Sequence, residues 1–176
     1  MSKYLAYVLL LFLVACSGTN YQPSEKSRIV NEIRAKTARR LKIELGLEPA
    51  GFGGQMMDEV KMLALAFDYN KPIEMEEGRK LLVEAVHTFV SMVNANEAIR
   101  PYLYNYPFEP KNIIVTIYLK NPDRSSIEPE KLCIVSADEG NIRYEVEDSK
   151  TTLLRTIYSE SFAEAERKVK DYTKSS

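Results

Sequence analysis

From Asn112 onward the apolar residues change their spacing, and that change restricts what the chain can fold into. Ile113, Val115, Ile117 and Leu119 alternate with Ile114, Thr116 and Tyr118, a period of two in which β-branched residues dominate. Before Asn112 the apolar residues recur at helical spacing. Helical and strand-like patterns segregated in this way predict an α+β fold.

The strand-like half divides at its turn residues. A first strand begins near Asn112 and ends before the turn-rich Asn121-Pro122-Asp123-Arg124-Ser125-Ser126. Strands over residues 131–137 and 141–147 meet through Asp138-Glu139-Gly140, a hairpin signal, and a fourth covers residues 151–158. Such short connections predict a four-stranded antiparallel meander. A carboxy-terminal helix then opens at Ser159 or Ser161, with Ser161 and Glu164 spaced as a capping box. Its Phe162, Ala165 and Val169 share the face that packs on the sheet, which leaves Lys168 and Lys170 outside.

The amino-terminal half is expected to supply helices that pack on this meander. Ser24 or Ser27 caps a helix that runs to Leu45 and stops at Gly46. Val30, Ile33, Leu41 and Leu45 form its inner stripe. Arg28, Lys36, Arg39 and Lys42 gather around Glu32 on the other side. That basic face is either a solvated surface laced by ion pairs or a contact for anionic head groups or an acidic partner. Pro49-Ala50-Gly51-Phe52-Gly53-Gly54 reads as a loop that matches neither a dinucleotide fingerprint nor a P-loop. Residues 56–69, apolar almost all round, read as a central helix. A further helix is expected over residues 74–94, with His87 on its outer side beside Glu84 and Ser91.

Between the halves lies Arg100-Pro101-Tyr102-Leu103-Tyr104-Asn105-Tyr106-Pro107-Phe108-Glu109-Pro110. Its prolines exclude a long helix, and in an extended chain Tyr102, Tyr104, Tyr106 and Phe108 point the same way. They are expected to form either a lid over the core or an aromatic platform for a partner or ligand.

The chain begins with Lys3, an apolar run over residues 4–14 and small Ala15 ahead of Cys16. Eleven apolar residues are too few to cross a bilayer core of about 30 Å. The stretch Leu13-Val14-Ala15-Cys16 resembles the lipobox of bacterial lipoproteins. That resemblance covers about the first sixteen residues. It implies cleavage before Cys16, with Leu13 and Ala15 recognised by the processing machinery, and a lipid on the Cys16 thiol. Residues 1–15 are then a signal peptide, 16–23 a lipidated tether and 24–176 a single domain. Ser17 in place of an aspartate favours the outer membrane, facing the periplasm, where a cell has two membranes. Two or more acyl chains hold a protein stably on a bilayer. The polar Ser17-Gly18-Thr19-Asn20-Tyr21-Gln22-Pro23 reaches roughly 25 Å when extended. Acylation of Cys16 also leaves Cys133 without a disulfide partner, and the apolar run around Cys133 marks it as a small buried hydrophobe.

Lys and Arg number 24 against 25 Asp and Glu, so the chain lacks the positive balance of nucleic-acid binders. One histidine, and no zinc, calcium or nucleophile motif, argue against most metal and acyl-transfer chemistry. No cofactor is expected. The methionines at 56, 57 and 62 do not make a soft-metal site without His or Cys. Paired carboxylates for cell-wall hydrolysis remain open, with Asp58, Glu59 and Glu84 no better placed than other acids. The favoured expectation is a non-enzymatic interaction or assembly module of the cell envelope, tied to the membrane through Cys16 and serving an envelope protein partner. A lipoprotein that binds a small ligand or cell-wall fragment is the alternative.

Overall fold

A computed structural model describes residues 22–175 of the chain. Leu13, Ala15, Cys16 and residues 17–21 lie outside the described residues. In chain order the elements are helix α1 (Glu25–Leu45), strands β1 (Glu48–Gln55) and β2 (Met62–Tyr69), and helix α2 (Met75–Asn94). Two 3-10 turns (Glu97–Tyr102 and Pro110–Asn112) lead to strands β3 (Ile113–Leu119), β4 (Leu132–Asp138), β5 (Asn141–Glu147) and β6 (Leu154–Ser161), and then to helix α3 (Phe162–Ser175). Among the described residues no helix is long and apolar enough to cross a membrane.

The α+β class holds, but the sheet is larger than the expected meander. Six strands lie side by side in sequence order. β3 to β6 pair antiparallel as a meander, and the β1–β2 hairpin joins it through a parallel β2–β3 pair, so the sheet is mixed. The correction falls on residues 48–69. The expected Gly-rich loop is edge strand β1, and the expected central helix over residues 56–69 is a tight link followed by β2. A short run apolar on all sides suits a strand covered on both faces as well as a buried helix. In β2 the large Leu63, Leu65 and Phe67 face the helices while small Ala64 and Ala66 take the other face. Gly51, Gly53 and Gly54 just upstream make poor helix and adequate hairpin partner.

The helix-facing row continues through Ile113, Val115 and Ile117 of β3, Val135 and Ala137 of β4, and Ile142 and Tyr144 of β5, all buried. α2 lies over β3 and β4, with α1 beside it over β1 and α3 beside it against β5 and β6. Each large side chain in this layer contributes roughly 1.5–3 kcal/mol through burial. Local signals place the ends. Ser24 caps α1 by accepting from Ser27 N, and Gly46, left-handed at φ 71°, ends it. At the β4–β5 hairpin Glu139 and Gly140 both take positive φ, as a tight two-residue turn requires. Ser161 Oγ accepts from Glu164 N at 3.2 Å at the start of α3.

Candidate functional site

Where α1 runs beside edge strand β1, the two leave a groove of about 770 Å³ between them. The helix wall is shallow because Asn31, Ala35 and Ala38 stand there, and the strand wall is Pro49 to Phe52, with Leu65 of β2 as floor. Arg34, Arg39 and Lys42 supply its charge.

Arg34 occupies an inward position on α1, one turn beyond Val30 and one turn before Ala38, and is only 6% exposed. One guanidinium nitrogen, Nη2, donates to the Gly53 carbonyl, and the guanidinium carbon lies 5.4 Å from the centre of the Phe52 ring. Gly54 makes this approach sterically allowed. It sits at φ 146°, and a Cβ there would collide with the Met62 carbonyl and stand 3.0 Å from Arg34 Nη2. Arg34 Nε has no hydrogen-bond partner; the other such buried side-chain atom among the described residues is Asn70 Oδ1. Burial pulls the guanidinium pKa down from its ordinary value, yet an arginine stays charged at neutral pH. A buried cation is costly unless a counter-charge meets it. No carboxylate among the described residues pairs with Arg34. Arg39, exposed on the groove rim, also lacks such a pair, whereas Lys36 is tied to Glu32 at 2.7 Å and Lys42 to Glu48 at 2.8 Å. Of the basic face of Arg28, Lys36, Arg39 and Lys42, Lys36 and Lys42 are paired, and of the two without an ion pair among the described residues only Arg39 lines the groove.

The four rings of the connector do not share one face. Phe108 is buried in the core, held there because the Asn94 amide donates to its carbonyl at 2.9 Å and accepts from its N–H at 2.8 Å. Tyr102 is half-buried and donates to Glu25 at 3.1 Å. Tyr104 and Tyr106 are exposed, but Lys61 Nζ stands 5.1 Å from one ring centre and the Arg100 guanidinium 5.0 Å from the other. Asn112, buried behind them, ties Asn105, Glu109 and Lys61 together. The segment is part lid and part exposed surface, with its two exposed rings already engaged by cations.

A second charged cluster is buried. Glu160 on β6 accepts from Arg79 Nε at 2.7 Å, from Tyr144 at 2.6 Å and from Lys168 at 2.8 Å. Burial raises the pKa of its carboxyl, but the hydrogen bonds from Lys168, Tyr144 and Arg79 outweigh that and hold it below the usual carboxylate range. Burial and the bond to Glu160 push the Tyr144 phenol strongly up. With its acceptors occupied and its side chain closed from solvent, this cluster clamps α2 and α3 to the sheet. Lys168, expected outside, turns inward to serve it.

The remaining candidates lie apart. Asp58 and Glu59 are exposed neighbours in the link between β1 and β2, and Glu84 is exposed on α2. His87 is on the outer side of α2, with Nε2 3.0 Å from Glu166 of α3 and its ring edge-on to Phe162. Cys133 is half-buried; its thiol donates to the Glu145 carbonyl at 3.3 Å, and burial pushes its pKa up. Among the described residues no three His, Cys, Asp or Glu side chains gather as a metal site would need. No family model, curated protein or solved structure matches this chain. The groove lining of cations, alanines and one aromatic ring contains no carboxylate, imidazole, thiol or hydroxyl. Such a lining suits an anion, which its cations can meet by charge and hydrogen bonding.

Sequence reasoning missed Arg34 and Phe52. The signal was present, since Arg34 interrupts the inner stripe of α1 at a position four residues beyond Val30. A long cation inside an apolar stripe asks for a partner.

Proposed function

We propose that the protein is a lipid-anchored interaction module of the cell envelope, without catalytic activity, that holds an anionic partner in the groove between α1 and β1. One observation carries the reading: Arg34 is buried, charged and uncompensated on the wall of an open groove. A partner's carboxylate or phosphate would supply the missing counter-charge, and charge-assisted hydrogen bonds are about twice as strong as neutral ones. The anchor rests on the lipobox-like Leu13-Val14-Ala15-Cys16, and the outer membrane facing the periplasm is the favoured place.

The groove also falls within the roughly 300–1,000 Å³ of small-ligand sites, which supports a carboxylated small ligand or cell-wall fragment as the second reading. A photo-crosslinking residue at exposed Ala35, introduced into the native lipoprotein, tests both. A protein adduct that disappears in Arg39→Glu is expected. An adduct formed equally from Tyr104, or none from Ala35, would move the working surface elsewhere.

A further inference from the structure

We propose that β1 is a docking strand: an extended acidic segment of a partner protein adds to the sheet edge and lays its carboxylates against Arg34 and Arg39. This rests on the groove being the working surface, and it specifies the partner's chemistry.

β1 ends the sheet and pairs only with β2. Its outer edge therefore presents backbone donors and acceptors to a further strand. Proteins usually guard such an edge with charges, proline or bulges. Here the guard stops early, because Pro49 and the register shift between Pro49 and Gly51 protect only the beginning of the strand. From Ala50 to Gln55 there is no charged residue. Phe52, 74% exposed, offers an apolar contact along that stretch.

The helix beside this edge makes the charge choice. α1 and β1 run alongside one another in opposite directions, since Lys42 meets Glu48 while Arg34 meets Gly53. Arg34 and Arg39 are five residues apart on α1, about 7.5 Å along its axis. Alternate side chains on one face of a strand repeat at about 6.6–7 Å. Although the two positions are about 140° apart around the helix, both side chains line the groove, where acidic residues two apart in an added strand would meet one arginine each. Strand addition draws affinity from main-chain hydrogen bonds and specificity from alternate side chains. A second copy of this chain suits the site poorly, because pairing β1 with β1 would bring two sets of the same arginines together. A lipid head group would meet the cations and leave the strand edge unused.

Synthetic fluorescent peptides of about nine residues, alternating β-branched residues with Glu, Gln or Lys, provide the probe for anisotropy titration of the full-length protein. Glu peptides should bind at least about tenfold tighter than the Gln series, and Lys peptides should not bind. N-methylation of alternate backbone amides should abolish binding in one register and spare it in the other. Arg39→Glu, an exposed change that leaves the fold intact, and Arg34→Gln should each remove the preference for Glu.

Equal binding of Glu and Gln peptides, no dependence on methylation register, or no binding in any acidic series would overturn the proposal. So would capture by phosphatidylglycerol vesicles in place of peptide, or dimerisation blocked by changes in β1. If Ala35 crosslinks a partner while methylation register has no effect, the groove reading survives and strand addition fails.

Discussion

Glu160 and Arg34 show two opposite fates for a buried charge. Glu160 meets Arg79, Lys168 and Tyr144 within 2.8 Å, so its charge is matched inside the protein. Arg34 meets one carbonyl and a ring face. Removing the partner of a buried ion commonly costs about 3–5 kcal/mol. Glu160→Ala, which strands Arg79, should lower the urea-denaturation free energy by that amount; a change below about 1 kcal/mol would mean the clamp is dispensable. The depressed carboxyl pKa of Glu160 also sets a direction with pH. Its contribution is fully present above the unfolded carboxyl pKa of about 4.3 and is lost as pH falls through the lower folded value. A Glu160→Gln variant should therefore show a flatter loss of stability across that acid window than the parent, measured by denaturation at stepped pH.

At the scale of elements, α1, α2, the meander strands and α3 were legible because each combines a period with a stop signal. Ser24 and Gly46 bracket α1, and the Asp138-Glu139-Gly140 turn separates β4 from β5. The hairpin of β1 and β2 was not legible. β1 lacks alternation, since glycine shows no face, and β2 is apolar on both faces. What makes β1 a strand is β2 beside it, and what holds β2 is its parallel pairing with β3, about fifty residues later. Gly54 is the residue that lets this hairpin coexist with Arg34. Gly54→Ala should cost about 1–3 kcal/mol and should speed amide exchange in β1 while β3 to β5 stay protected. Uniform loss of protection would instead mean that β1 is integral to the global unfolding unit.

Across the whole molecule, the three helices shield one sheet face, the groove opens at the β1 edge, and the proposed anchor precedes α1. Arg34 lies ten residues beyond the Ser24 cap, about 15 Å along the helix axis. Under the proposed anchor, a tether whose extended length is at most roughly 25 Å would keep the groove within about 40 Å of the lipid. The proposed partner would then present its acidic segment close to the same membrane. Cys16→Ala should shift the protein to the soluble fraction or leave it uncleaved, read by fractionation and intact mass. Unchanged mass and membrane association in that variant would remove the anchor from the proposal.

The amino-acid sequence by itself determined the α+β class, the ends of α1, the capped start of α3, the meander pattern and the lipobox-like start. These depend on neighbours within a few positions, where period, caps and turn residues act directly. The tertiary structure decided the rest: that residues 48–69 are two strands, that Phe108 leaves its neighbouring tyrosines for the core, and that Arg34 is buried without a counter-charge among the described residues. Each depends on contacts between residues distant in sequence, where the surroundings of a side chain are set by packing and not by its own type.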